Sequence, residues 1–160
     1  AVSANGGAFT AAFDFTISTR SAEELVSGTI AANTTWTSDK IYVVTGNLGV
    51  APGYTLTIQP GTTVEFYAET SLSVGGTLIA DGTEARPIRF ISHDGGSWGP
   101  LKFDDLSVDA VADVDGEYVS GNILRWVVVQ GAASGIGCNS ATPYLSNLMT
   151  DGGGINCTAH

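Results

Sequence analysis

The chain is poor in positive charge. Six Lys and Arg stand against sixteen Asp and Glu in 160 residues, a formal charge of −10. Nucleic acid and anionic membranes both need a basic surface, so neither is expected as a partner. Histidine is scarce, with only His93 and His160. No Ser, His and Asp set stands at a recognisable nucleophile spacing. No apolar run reaches about 18 residues, so no membrane-inserted helix is expected. Cysteine is limited to Cys138 and Cys157. What the chain does have is Gly, Thr and Ser in abundance, which suits an exported surface protein. It begins at Ala1 without Met. That fits a removed signal peptide, and a trimmed chain would read the same. By size it is one domain, large enough for a sizeable core.

One pattern is written three times between Lys40 and Ser92. Lys40-Ile41-Tyr42-Val43 is followed by Thr63-Val64-Glu65-Phe66 and then by Pro87-Ile88-Arg89-Phe90. Aligned on Ile41, Val64 and Ile88, the spacings are 23 and 24 residues. Leu48-Gly49-Val50 answers Leu72-Ser73-Val74, and Leu56 answers Leu78. Such self-similarity marks a solenoid or array. Each period holds three short alternating strand signals, separated by Ala51-Pro52-Gly53, Gln59-Pro60-Gly61, Gly75-Gly76 and Asp81-Gly82,. With no helix between them, successive coils would stack strand on strand about 4.8 Å apart. The expected fold is all-β: a right-handed parallel β-helix of about six coils with three strands each, preceded by a strand or cap segment.

Residues 54–66, residues 76–83 followed by Pro87-Ile88-Arg89-Phe90, and Ser97-Trp98-Gly99-Pro100-Leu101-Lys102-Phe103 resemble the coil consensus of the pectate-lyase-like superfamily of secreted bacterial β-helix proteins. The resemblance covers roughly residues 28–158. It is specific for architecture and nearly silent on activity, because such coils serve lyases and surface proteins alike. Among relatives of this architecture, the lyases combine calcium-holding carboxylates with a basic residue. Asp104 and Asp105 could imitate an acidic pair, but the Gly-His-Gly and Arg-Ile-Lys phrases of polygalacturonases are missing. His93-Asp94-Gly95-Gly96 reads as a solvated turn. The chain is therefore not expected to be an enzyme.

The expected organisation is an N-terminal arm and cap over residues 1–27 and a β-helix over 28–160. In the arm, Phe9, Phe13, Phe15 and Ile17 share one strand face with Ala11. Either this strand closes its own solenoid or it docks on another subunit. Ser21-Ala22-Glu23-Glu24 has the capping-box form, giving one helical turn at most. Between Phe103 and Ile123 the period breaks. Residues 104–117 carry six acids in fourteen positions, so an acidic loop is expected at about 104–120. Matching Leu124-Arg125-Trp126 to Ile88-Arg89-Phe90 gives a spacing of 36. On that alignment Glu65, Arg89 and Arg125 fall on one outward column. Insertions at solenoid corners are where function concentrates.

No cofactor is required, but calcium is a candidate. Asp113-x-Asp115-Gly116 resembles part of an oxygen-ligand loop. The EF-hand end positions would be Val111 and Asn122, so a looser site of Asp109, Asp113, Asp115 and Glu117 is the alternative to a solvated loop. Near the end, Gly135-Ile136-Gly137-Cys138 is answered by Gly154-Ile155-Asn156-Cys157, 19 residues on. The cysteines then sit on neighbouring coils, where a disulfide is expected. Two buried thiols, or a metal site with His160, are the other options. Thr55 and Thr57 continue as Thr77 and Ile79, so no long regular Thr rank of the ice-binding kind is present. Trp36, Tyr42, Tyr54, Tyr67, Trp98, Tyr118, Trp126 and Tyr144 could include a sugar platform, with half or more packing inside.

Two functions follow. One is an extracellular or cell-surface structural protein that associates head to tail into homo-oligomers or filaments through the N-terminal strand. The other is a carbohydrate-binding or carbohydrate-active β-helix module with a polysaccharide partner. The inward ladder is testable independently of either. Val64→Asp would put an unpaired charge into the core and is expected to unfold the domain. A mutant with wild-type melting would refute the inward placement.

Overall fold

Parallel stacking satisfies backbone groups only between coils, so each coil must repeat the path of the one before it. The computed structural model describes residues 21–158. The chain runs β1 (Ala22–Ile30), β2 (Thr34–Trp36), β3 (Lys40–Val50), β4 (Thr55–Ile58), β5 (Thr63–Phe66), β6 (Leu72–Val74), β7 (Thr77–Asp81) and β8 (Ile88–Ser92). It continues through β9 (Leu101–Phe103), β10 (Val111–Ala112), β11 (Tyr118–Ser120), β12 (Ile123–Ala132), β13 (Ile136–Asn139), β14 (Tyr144–Gly152) and β15 (Ile155–Thr158). All pairings are parallel except the β10–β11 hairpin. The result is an all-β parallel solenoid of about six turns.

Three faces carry the stacking. Face A runs β1, β3, β5, β8, β12, β14. Face B runs β1, β3, β6, β9, β13, β15. Face C runs β2, β4, β7, β12, β14. Three separate strands per coil were expected, yet β1 and β3 serve both A and B, and β12 and β14 serve both C and A. Those corners are bends within a strand.

The inward ladders form the core. On face B one ladder is Leu48, Leu72, Leu101 and Ile136, and the next is Val50, Val74, Phe103 and Cys138. On face C it is Trp36, Ile58, Ala80 and Leu124. Each of these side chains is buried, worth about 1.5–3 kcal/mol for a large apolar group. Phe66 stacks on Trp98 at 4.0 Å between ring centroids. Cys138 pairs with Cys157 in register, and the two form a disulfide with Cα atoms 4.3 Å apart.

Five sequence expectations need correction. Ser21–Glu24 starts no helical turn, because β1 begins at Ala22 and pairs with β3 from its first residue. The boundary placed between 27 and 28 falls inside β1, where the strand bends at Gly28 with φ 83°. Val64 is buried as expected, but it lies over Tyr42 and Phe90, not Ile41 and Ile88. Tyr42 points inward because its ring stacks on Trp36 at 4.4 Å and its hydroxyl accepts from the Thr37 amide. The column of Glu65, Arg89 and Arg125 does not exist: Glu65 lies beside Val43, Arg89 beside Thr63, and Arg125 beside Asp81. Finally, His93 is no solvated turn residue. Its Nδ1 lies 2.7 Å from the nearly buried Glu65 carboxylate.

The acidic segment leaves after β9 and returns at Asn122, across the corner from face B to face C. The preceding coil crosses this corner with two residues, Gly75-Gly76. A side chain at Gly76 would meet the Tyr54 and Ala51 carbonyl oxygens within 2.4 Å. The longer crossing displaces the backbone that would pair with the start of β7. Asn122, 1% exposed, replaces it. Its Oδ1 accepts from the Leu78 amide at 2.6 Å and its Nδ2 donates to the Val108 carbonyl at 2.6 Å. Asn122→Ala strands the buried Leu78 amide, while the Val108 carbonyl keeps the Asn122 backbone amide, and is expected to lose about 1–3 kcal/mol in denaturant unfolding; Asn122→Asp keeps the acceptor,. An alanine variant of wild-type stability would show that the Asn122 bridge is not needed.

Candidate functional site

The solenoid changes cross-section at one corner, between faces C and A. The turn from β4 to β5 uses residues 59–62, and the turn from β7 to β8 uses residues 82–87. In the next two coils a single residue makes the same corner. Arg125 pairs with Asp81 and Val127 with Ile88, leaving Trp126 alone between them. One coil later Ser146 and Leu148 leave Asn147 alone. The wide turn above and the narrow corner below make a step. Two depressions adjoin it, both lined by Trp126 and Asn147. The face-A depression, about 340 Å³, has Pro87, Val128, Met149 and Glu84. The face-C depression, about 380 Å³, has Thr83, Glu117, Arg125, Tyr144 and Ser146.

A one-residue corner needs left-handed backbone. Trp126 and Asn147 both have φ 51°. Asn visits that region readily, whereas a bulky residue pays about 1–2 kcal/mol to stay there. The corner is also tight: the Gly82 amide donates to the Arg125 carbonyl at 2.8 Å, and a Cβ at Gly82 would stand 2.6 Å from the Trp126 carbonyl oxygen. Backbone geometry therefore argues for Gly or Asn at 126, not Trp. Core packing does not explain it either, since Trp36 and Trp98 are buried and Trp126 is only partly so. Strain of this kind gathers at functional positions.

Polar groups surround the indole. Arg125 donates from Nε and Nη2 to the two oxygens of Asp81, each at 2.7 Å. This fork fixes the guanidinium plane, and its hydrogen bonds raise the Arg125 pKa further. Tyr118 stands against Tyr144 at 5.7 Å. Burial, then the Asp81 charge, push its hydroxyl pKa up. It stays protonated and donates to the Gly121 carbonyl at 2.8 Å. The inserted segment thus brings Glu117 and Tyr118 to the edge of the step.

The other sequence candidates lie elsewhere. Phe9, Phe13, Phe15 and Ile17 are outside the described residues. Two of the four calcium candidates, Asp109 and Asp113, use a carboxylate oxygen to hold the inserted segment. Asp109 Oδ1 accepts from the Thr142 amide, and Asp113 Oδ1 accepts from the Asp115 and Glu117 amides. Among the described residues no three His, Cys, Asp or Glu side chains gather where they could hold a metal. As placed, these carboxylates do not fit a calcium cage. Of the eight aromatic candidates, Trp36, Tyr42 and Trp98 are buried and Tyr54 and Tyr67 stand exposed. Tyr118, Trp126 and Tyr144 come together. Trp126 was hidden by the alignment on Phe90, which is an inward residue. The match to Ile88-Arg89-Phe90 is Val127-Val128-Val129, a spacing of 39 (88 to 127) and not 36. The signal available in the sequence was the missing turn: no Gly, Pro or Asn separates Leu124 from Val129.

Residues 28–104 match the family model described as a pectate-lyase like beta helix domain. Over those residues, 77 of the 160, the chain is similar to a β-helix domain of pectate-lyase-like type. No curated protein and no solved structure matches it. The matched stretch ends at the inserted segment, so Trp126 and Glu117 lie beyond it. Because Asn already serves the equivalent corner, Trp126→Asn is expected to leave thermal stability within about 1 kcal/mol of wild type, or above it. A loss of about 3 kcal/mol or more would mark Trp126 as a packing residue.

Proposed function

We propose that this β-helix is an extracellular glycan-binding module that holds a saccharide chain at the Trp126 step without cleaving it. The observation that carries the reading is a tryptophan kept in a strained corner that asparagine fills one coil away. A pyranose ring has an apolar C–H face that lies on an indole, and hydroxyls around its rim that take polar partners. The fixed Arg125–Asp81 fork, Glu117, Tyr144 and Ser146 supply such partners on one side. Pro87, Val128 and Met149 supply apolar contact on the other. The Cys138–Cys157 disulfide supports an oxidising setting outside the cell,. The test is an array of plant, algal and bacterial polysaccharides probed with wild type and Trp126→Asn. The wild type is expected to retain a subset, and the variant to bind it at least about tenfold more weakly, the loss of one stacked ring. Equal binding by both proteins would remove Trp126 from the site.

Head-to-tail association is a second reading, favoured by the two ends of the described solenoid. Among the described residues, β1 and β2 pair on one side only, and so do β14 and β15. Together they present faces A, B and C at both ends. Leu25 is exposed at one, Met149 and Ile155 at the other. A second copy would continue all three sheets, and such unlike surfaces build open filaments. In this reading residues 8–18, with Phe9, Phe13, Phe15 and Ile17, dock on the neighbour. Electron microscopy and light scattering of wild type and of a chain lacking residues 1–18 decide it. Filaments lost on deletion would support it, and a wild type that stays monomeric at high concentration would end it.

A further inference from the structure

The structure assigns a charge preference to this step: we infer that it takes uncharged saccharide chains and rejects polyuronates. The inference rests on the glycan-binding reading and concerns which glycan the site admits. Carboxylate-bearing sugars are held by cations whose charge is not already balanced by the protein. Among the described residues, Arg125 is the one basic residue lining either depression. Its Nε and Nη2 donate to the two Asp81 oxygens at 2.7 Å, so its charge is balanced there, although that fork leaves the Nη1 donors unused. The remaining charges are negative. Glu84 lines the face-A depression and Glu117 the face-C depression, and both residues are exposed. Counting Arg125, Asp81, Glu84 and Glu117, the step carries a formal −2. Among the described residues, Arg86 and Arg89 lie nearby but line neither depression. Arg86, in the same turn as Glu84, donates to Ser38 Oγ at 2.6 Å. Arg89 is the register partner of Val128 on face A. The chain as a whole adds a field of the same sign at −10,.

A uronate laid on Trp126 would therefore bring its carboxylate against Glu84 or Glu117, with the lining cation Arg125 already balanced by Asp81. Repulsion between exposed groups is screened by salt, with a Debye length of about 30 Å at 0.01 M and about 3 Å at 1 M. That gives the inference a signature that shape selectivity lacks. A neutral chain and a uronate chain should differ most at low salt and converge at high salt.

The experiment compares each neutral polysaccharide retained on the array with the same polymer after its primary hydroxyls are oxidised to carboxylates. Binding to wild type is measured at about 0.01 M and about 1 M salt. The expected result is binding of the oxidised chain at least about tenfold weaker at low salt, with the gap closing at high salt. In the Glu84→Gln, Glu117→Gln double variant the gap should shrink at low salt too. Equal or tighter binding of the oxidised polymer would overturn the inference and leave the glycan-binding reading standing. So would a gap that salt and the double variant leave unchanged, since that points to shape. Retention of no polysaccharide at all would overturn the glycan-binding reading, and the inference with it.

Discussion

Everything in this molecule depends on the vertical register between coils. Parallel strands satisfy their backbone groups only through the coil above and the coil below, so a coil that loses register loses its hydrogen bonds and its place in the core together. The face-B ladders show how the sequence meets this demand. Gly28, Leu48, Leu72, Leu101, Ile136 and Ile155 share one position through six tiers. Ile30, Val50, Val74, Phe103, Cys138 and Cys157 share another, and the disulfide extends that ladder by a covalent bond. The faces are conserved in direction because the ladders cannot slip by one residue without turning each apolar side chain outward.

The corners are free of that constraint, and the chain varies there. The face B to face C crossing grows from two residues at Gly75-Gly76 to the whole segment 104–121. The face C to face A crossing shrinks from residues 82–87 to Trp126 alone. Both changes occur in the same coil, on adjoining corners. The longer crossing brings Glu117 and Tyr118 over face C, and the shorter one opens a step beneath Glu84 and Pro87. The cost of the longer crossing falls on Asn122, which restores a strand bond with its side chain. The cost of the shorter one falls on Trp126, which holds left-handed backbone. Local rules are broken at these two residues while the ladders around them stay regular, as expected where function is grafted on a scaffold.

The sequence could be read wherever alternation and turn residues agree. Leu48-Gly49-Val50 over Leu72-Ser73-Val74, Thr55 and Thr57 over Thr77 and Ile79, and Cys138 over Cys157 stand where their spacing put them. Reading failed where a side chain outside the pattern decided. Hydropathy favours Ile41 as the inward residue, yet Trp36 and Thr37 select Tyr42. Arg125 was placed by analogy with Arg89, but its partner is Asp81, 44 residues away and on a different face from Arg89. His93 looked solvated because its neighbours are Asp and Gly, and nothing local reveals Glu65 one coil back. Trp126 is the largest such case. A run of Leu, Arg, Trp and Val reads as continuous strand, and only the three-dimensional path shows that it turns a corner in the middle.

The central claim is that Trp126 is present for a ligand. The three tryptophans make this directly measurable, because Trp36 and Trp98 are buried at 3% and 0% exposure while Trp126 is partly exposed. Acrylamide quenching should divide the fluorescence into one accessible and one protected fraction. Saturation with a glycan retained by the protein should remove the accessible fraction, as the ring is covered. An accessible fraction that persists with glycan bound would contradict the account.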